Sequence, residues 1–221
     1  MALPARSEGS QPGYYGVYPA IVTDLVDDDS LGRVQVRFPW LGADGDRDVR
    51  AWATLCSPYA DDEQGLLALP EVGSQVVVAF EAGNLRRPYV IGAVWNGRET
   101  LPHTPEASNN IRLLRSRGDS RLEFDDTPGS LKVSLTMASG HEVTLDDAAQ
   151  EVTVKHSGGC TVRLTSTAVE IDANVSVDVS AVTVKVDAPF ATFSGTVQVD
   201  TLIAKQMVMS PAYSPGAGNM L

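Results

Sequence analysis

Apolar and polar residues alternate along the stretch from Ser139 to Ala188, where Val and Thr recur at every second position. An alternation of period two is typical of β-strands that bury one face. The alternating units are short, and turns containing Gly, Asp, Asn or Ala join them. The stretch holds no aromatic residue and no helical segment that could cover its apolar face. The sequence therefore predicts a degenerate β-repeat of the solenoid or prism kind.

The part of the chain before this repeat shows a different pattern, with turn residues about every 8–12 positions, which predicts a small all-β barrel. The predicted strands are Tyr14–Val26, Arg33–Trp40, Val49–Pro58, Glu71–Gly83 and Arg86–Gly97. All three Trp residues fall in this part, as expected for a compact core. The predicted barrel core consists of Val17, Ile21, Val34, Val36, Trp52, Val76, Val78, Phe80 and Val94.

The change of pattern coincides with a segment, Arg98–Ser108, that contains Pro102 and Pro105 and is typical of a linker. After it, successive apolar units begin at irregular intervals. We therefore expect five regions: an N-terminal segment (1–13), a barrel (14–98), a linker (99–110), a β-helical part (111–206) and a terminal tip segment (207–221).

The apolar residues of the repeat are mostly Val, which is too small to close a wide single-chain barrel, and an apolar strand face must be buried. Several identical chains around one axis resolve this, because small side chains fit where equivalent residues meet, and strand pairing between chains removes free edges. Three chains are the simplest closed case; a single-chain β-sandwich is the alternative. The predicted axial core is Val143, Leu145, Val152, Val154, Val162, Leu164, Val169, Ile171, Val175, Val177, Val182 and Val184.

Net charge, Lys content and sequence motifs disfavour two classes of function, nucleic-acid binding and catalysis. The net charge is −11 and residues 1–110 contain no Lys, which disfavours nucleic-acid binding. The chain shows no GxSxG, HExxH or paired-Glu motif, so we expect neither an enzyme nor a cofactor. No apolar signal region opens the sequence and its two Cys are isolated, so we expect assembly in the cytoplasm.

One ordered set of motifs resembles a known family, the central spikes of contractile tails: phage baseplate assembly protein V and the spike end of VgrG proteins. The resemblance extends over about residues 15–190, and "RSRGDSRLEFDDTPG" is similar to the entry into the spike. The motifs in the first half are Arg37-Phe38-Pro39-Trp40, Trp52, Leu69-Pro70-Glu71-Val72-Gly73, Val76–Glu81, Gly83-Asn84, Arg87-Pro88 and Gly92–Gly97.

The resemblance implies an OB-fold barrel followed by an intertwined trimeric β-helix, or β-prism, needle. It also implies a baseplate position, with a hub protein and tail tube above and a PAAR-repeat tip protein below. Three features differ from some relatives: no lysozyme domain separates barrel and needle, only about fifteen residues precede the first strand, and no HxH iron motif occurs. The hub is then a separate protein, or this chain is a fragment of a longer hub–spike fusion.

Two sets of residues are candidate sites. An apolar trimer end is costly to leave in water, so we expect the tip partner to contact Met207, Met209, Tyr213, Met220 and Leu221. His156 continues the inward phase of Val152 and Val154, and three copies could hold a metal on the axis. The alternative is that the turn "HSGG" breaks the alternation and His156 faces solvent.

These expectations describe a homotrimeric structural spike that transmits contraction force and contacts a target membrane transiently. It would belong to a phage virion or to a phage tail-like particle, which can also be released from the cell. The alternative is a trimeric adaptor or carrier fibre that binds effector cargo or a receptor at its tip.

Overall fold

The structure is a computed structural model that describes residues 13–44 and 47–210, without the side chains of Ala43, Asp44 and Arg47. The chain divides into two units, Met1–Asp172 and Ala173–Leu221, and each is described by itself. Among the described residues all regular structure is β, apart from two single-turn 3-10 segments, Pro39–Leu41 and Glu81–Gly83. The all-β prediction is confirmed.

Nine strands lie among the described residues before Arg98. They are β1 (Val17–Asp24), β2 (Arg33–Arg37), β3 (Ala43–Asp44), β4 (Arg47–Asp48), β5 (Arg50–Leu55), β6 (Ala60–Asp61), β7 (Gln64–Gly65), β8 (Gln75–Phe80) and β9 (Pro88–Ala93). Five of them close into a barrel in the order β1-β2-β5-β9-β8, while β3–β4 and β6–β7 form separate two-stranded hairpins. β5 and β9 run parallel, and the other barrel pairs are antiparallel. A closed five-stranded barrel matches the predicted OB-fold.

Buried residues alternate with more exposed ones along the barrel strands, and this alternation determines which side chains fill the interior. In β8, Val76, Val78 and Phe80 point inward while the residues between them are only half-buried. Closing the sheet gives every strand one enclosed face, so small β-branched side chains fill the interior. The buried core is Ala20, Val22, Val34, Val36, Phe38, Ala53, Val76, Val78, Phe80 and Val90.

The predicted phase of β1 is wrong. Ala20 pairs with Val76 and Val22 with Val36, so the even-numbered residues of β1 share a face with the core of both neighbouring strands. Val17 is therefore 61% exposed. Ile21 is half-buried because its register partners on either side are polar, Arg37 and Gln75.

Two further core predictions fail at other strands. Trp52 is half-buried, since the inward residue of its strand is its neighbour Ala53. Val94 follows the end of β9 and is exposed, as is Trp95. The inward residues of β9 are Pro88 and Val90, which the predicted core did not include.

Aromatic rings close one side of the barrel. Trp40 stacks on Tyr18 with ring centroids 4.6 Å apart, and its indole Nε1 donates a hydrogen bond of 3.0 Å to the Pro19 carbonyl oxygen. Phe38 and Phe80 continue the cluster into the buried core, 5.4 Å apart. The "RFPW" motif thus supplies one core ring and one ring that covers it.

Seven more strands form one antiparallel sheet in which each strand pairs with the next along the chain. The strands are β10 (Ile111–Arg115), β11 (Arg121–Asp125), β12 (Lys132–Thr136), β13 (Glu142–Asp146), β14 (Glu151–Lys155), β15 (Thr161–Thr165) and β16 (Val169–Asp172). All pairing in this sheet is therefore within the chain. Up to Asp172, the short alternating units predicted from the sequence correspond to these strands.

In the second unit, the described residues 173–210 contain no strand, although the alternation of Val with polar residues continues over residues 175–187. Their side chains are exposed throughout, and Val175 is 96% exposed.

Candidate interaction surface

The register of the seven-stranded sheet places its apolar residues on one face. Residues directly opposite each other in an antiparallel pair point to the same side, so the pairings can be followed across the sheet as rows. One row is Leu114, Leu122, Leu135, Val143, Val154, Val162 and Ile171. The second row is Arg112, Phe124, Val133, Leu145, Val152, Leu164 and Val169. We call these fourteen positions the apolar face.

Arg112 is the one charged residue on the apolar face, and it lies at the first strand of the sheet. Its guanidinium forms an ion pair with Asp126, which follows the end of β11. The charge is thus neutralised at the margin of the face and leaves the remaining thirteen positions apolar.

The opposite face is polar apart from Ile111 and Leu113 in its first strand, and ion pairs join its strands. Lys132 Nζ lies 2.9 Å from an oxygen of Asp146 in the neighbouring strand. Arg163 bridges two strands, with Nε 2.8 Å from Glu151 and Nη1 2.9 Å from Glu170. Such cross-strand pairs of opposite charge stabilise the sheet and suit a surface in water.

The ion pairs and hydrogen bonds of the polar face shift the ionisation of its carboxylates. The Ala149 backbone N–H, followed by Lys132, lowers the pKa of Asp146 below its ordinary value. The pKa of Glu151 is lowered by the Thr153 hydroxyl first and by Arg163 second. The pKa of Lys132 is raised, chiefly by its hydrogen bond to Asp146. All these shifts favour the charged forms.

In a sheet that packs on a core, the apolar face is the buried one. Here the apolar face is the more exposed of the two faces. In β11 the polar residues are half-buried, whereas Leu122 and Phe124 are exposed, the latter by 44%. Leu114 and Ile171, at the two ends of one row, are 67% and 58% exposed. A contiguous apolar surface of this kind marks an interaction site.

Eight of the predicted axial residues lie on this face: Val143, Leu145, Val152, Val154, Val162, Leu164, Val169 and Ile171. The other four, Val175, Val177, Val182 and Val184, belong to the second unit and are exposed there. The sequence pattern missed the contribution of β10–β12, although Leu122, Phe124, Val133 and Leu135 show the same alternation.

Of the predicted tip residues, Met207 and Met209 are exposed. Tyr213, Met220 and Leu221 lie outside the described residues.

His156 lies just beyond β14, where it is exposed and its ring centroid is 4.5 Å from that of His141. Its Nδ1 accepts a hydrogen bond of 2.9 Å from the Gly158 backbone N–H, within the "HSGG" turn. The described residues contain no group of three His, Cys, Asp or Glu side chains placed to hold a metal ion.

Comparison with known proteins identifies the barrel. Residues 18–95 match the family described as the type VI secretion system/phage-baseplate injector OB domain. The barrel therefore resembles an injector OB domain. This match covers all five barrel strands except the first residue of β1.

Matches to individual proteins are longer than the barrel and include part of the sheet. The chain is 26% identical over 140 residues to the type VI secretion system spike protein VgrG3 of Vibrio cholerae, which is 61% of this chain and 14% of that protein. Over 102 residues, or 44% of the chain, it is 30% identical to the spike protein VgrG1a of Pseudomonas aeruginosa, of which it covers 16%. The actin cross-linking toxin VgrG1 of V. cholerae is also similar, at 26% identity, with 13% of its length covered.

The resemblance to VgrG-like baseplate spikes, stated from the motifs, is thereby confirmed. The chain spans about one seventh of the length of these relatives. Among the described residues no helix is both long and apolar enough to cross a membrane.

Proposed function

We propose that the chain is the structural central spike of a contractile injection baseplate, assembled as a homotrimer. The observation that carries this proposal is the order of two parts in one chain: an injector OB domain followed by a sheet whose apolar face is exposed. A sheet with one uncovered apolar face is stable in water only when another layer covers it. Further copies of the same chain present an equal face and supply that layer.

Three copies fit the chemistry of this face. Three sheets that turn their apolar faces toward a common axis enclose a narrow triangular core. Val and Leu predominate there, while the single aromatic residue, Phe124, lies in the second strand of the sheet. A threefold ring also buries the face of every copy equally and ends the assembly at a fixed size.

The second unit extends the same assembly. Residues 173–210 contain a stretch, 175–187, in which Val recurs among polar residues, but they form no strand among themselves. Extended backbone must find hydrogen-bond partners when its apolar side chains are buried. We assign this part to the intertwined portion of the needle, where neighbouring strands come from different chains, so that the spike includes residues 111–206 and residues 99–110 link it to the barrel.

The mechanical role follows from the direction of the hydrogen bonds. If the strands lie across the needle axis, the backbone hydrogen bonds of the ladder run along that axis, because they are perpendicular to antiparallel strands. Axial compression then presses each strand against the next. A closed prism also has no free lateral edge at which a strand could peel away.

The partners follow from the same model of assembly. The barrel docks on a hub protein and tail tube of threefold symmetry, and a PAAR-type protein caps the tip through the exposed Met207 and Met209. The spike contacts the target membrane only transiently. It needs no cofactor and performs no catalysis, and it resides in the baseplate of a virion or phage tail-like particle assembled in the cytoplasm.

Cryo-electron microscopy of particles that contain the chain tests this proposal. We expect density for the injector OB domain and the sheet on the threefold axis below the tube. In particles carrying the double substitution M207S/M209S, the spike should remain and the tip density should be lost. Density in peripheral fibres, away from the axis, would instead support the adaptor or carrier function and overturn the spike proposal.

A further inference from the structure

Each of the first six strands of the sheet, β10–β15, continues by one position beyond the apolar rows, which gives the apolar face two rims. The first rim is Asn110, Asp126, Leu131, Asp147, Gln150 and Ser166. The second rim is Ser116, Ser120, Met137, His141, His156 and Cys160. Each of these residues lies two positions from a residue of the apolar face, and where the backbone stays extended it belongs to the same side of the sheet; at Gln150 the backbone departs from that conformation, with a φ of +53°.

Backbone hydrogen bonds show that the ladders extend to both rims. On the first rim, the Asp147 N–H donates to the Leu131 carbonyl oxygen at 3.0 Å, and the Asp126 N–H donates to that of Asn110 at 2.9 Å. On the second rim, the corresponding bonds run from Met137 to His141 at 3.0 Å, from His156 to Cys160 at 2.8 Å and from Ser116 to Ser120 at 2.9 Å. The second rim, together with Asn110, Asp126, Leu131 and Asp147 of the first rim, is therefore held in register with the strands.

We propose that the first rim of each copy docks against the second rim of the next copy, which forms the three corners of the needle. This inference rests on the proposed threefold assembly. Rotation about an axis that crosses the strands carries each strand onto its own counterpart at the same height. The end of a strand in one copy then faces the start of the same strand in its neighbour.

The chemistry of the two rims matches strand by strand. At β12, Leu131 faces Met137 of the next copy, and both are apolar. At β13, Asp147 faces His141. At β10, Asn110 faces Ser116. β12 is the one strand with an apolar residue on the first rim, and it also carries Met on the second rim. Contact between these two apolar residues of neighbouring copies requires the two rims to lie at equal height.

The hydrogen bonds of His141 and His156 leave the Nε2–H group of each ring as a donor for these corners. Nδ1 of His141 accepts a hydrogen bond from the Ser157 N–H at 3.3 Å, and Nδ1 of His156 accepts one from the Gly158 N–H. In a neutral imidazole whose Nδ1 accepts, Nε2 carries the proton and donates. Each second rim thus presents two N–H donors beyond the apolar rows.

The first rim offers the corresponding acceptors. Asp147 is exposed and forms no ion pair with any described residue. Gln150 donates its side-chain N–H to the Asp147 carbonyl oxygen at 2.7 Å, which leaves its own amide oxygen to accept. In the assembly, Asp147 would accept from His141 of the next copy and Gln150 from His156.

Within one chain, His141 and Asp147 are at opposite ends of β13, about 20 Å apart at the rise of an extended strand. A direct energetic coupling between them therefore arises only between copies. This allows a charge-swap test, with the dissociation of the full-length trimer followed by light scattering along a denaturant series.

We expect H141D to weaken the trimer, because each of three corners then holds two carboxylates. A loss of about fivefold per corner corresponds to roughly a hundredfold in the apparent dissociation constant. The double variant H141D/D147H should recover most of that loss. The matched control H141D/D172H should not, since Asp172 lies at the end of β16 on the polar side of the sheet. Equal behaviour of the two double variants would overturn the corner assignment while leaving the trimer itself intact.

A cross-linking experiment tests the same geometry without altering charge. In a C56S background, S166C places a thiol on the first rim at β15, at the height of Cys160 on the second rim. Mild oxidation should link three chains covalently. The control C56S/S120C has both thiols on the second rim and should give no covalent trimer.

The possible outcomes distinguish failure of the rim pairing from failure of the proposed threefold assembly. Covalent dimers through Cys160 in both variants, or a trimer that S166C does not cross-link, would contradict the pairing of the rims. A monomeric wild-type chain would instead contradict the proposed assembly on which the inference rests.

Discussion

Leu145 and Val152 lie directly opposite each other across β13 and β14, and both side chains are exposed. Their neighbours on the same face repeat this arrangement across the sheet. The polar residues between them are the better covered ones, held by ion pairs and hydrogen bonds on the other face. A single chain thus presents its apolar face outward, which is the central reason for placing further copies against it.

The apolar face should not tolerate a charge in the proposed trimer. Leu145→Lys would bring three ammonium groups into the apolar core of the proposed trimer, and we expect it to destabilise the trimer by at least about 3 kcal/mol per chain. The measurement is the solution mass over a range of protein concentrations.

The matched control is the same substitution one residue earlier. Thr144 points to the polar face between Glu142 and Asp146, so Thr144→Lys should leave the trimer unchanged. If both variants behave alike, the apolar face is not the contact between copies.

The corrected barrel core gives a second prediction. Phe38 is buried beside Phe80, and Phe38→Ala should lower the free energy of unfolding of the injector OB domain by about 3–5 kcal/mol. Val17→Ala, at an exposed position, should change it by less than about 0.5 kcal/mol. Denaturant unfolding followed by tryptophan fluorescence measures both, and a larger loss for Val17→Ala would restore the phase predicted from the sequence.

The carboxylates of the polar face predict an acid-sensitive sheet. The pKa values of Asp146, Glu151, Asp119 and Asp125 are lowered in the folded chain, for Asp119 chiefly by Arg121 and for Asp125 by the Thr127 hydroxyl. A lowered folded-state pKa gives stability that is present above the unfolded value, about 4, and is lost as the pH falls through the folded value.

We therefore expect the melting temperature of the sheet to fall below about pH 4. Asp146→Asn should reduce this dependence, since it removes one of the shifted carboxylates. Asp62→Asn, in an exposed turn without an ion pair to the described residues, is the control for a general charge effect. Circular dichroism melts between pH 3 and 7 would contradict the account if the two variants had the same slope.

The strands and the phase of the sheet could be predicted from the sequence because one physical rule dominates there. Alternation of period two states directly which residues share a face, and a one-residue error would put every Val on the wrong side. All eight predicted axial residues of β13–β16 accordingly lie on one face.

The barrel was harder to predict because its register depends on pairings between distant strands. Ile21 is more apolar than Ala20, yet Ala20 is the buried residue, since it lies opposite Val76. A bulge between Val22 and Asp24 then shifts the register again. The two rims could not be recognised before the strand pairings were known either. Only the bounds of β13 show that Asp147 and His141 lie at its opposite ends and therefore on different rims.

The solution mass of the purified chain tests the central claim most directly. The chain has a mass of 23.5 kDa, and we expect light scattering to give three times that value, roughly 70 kDa. A monomer of 23.5 kDa at micromolar concentration would contradict the account, because the apolar face of the sheet would then be stable in water without a second copy to cover it.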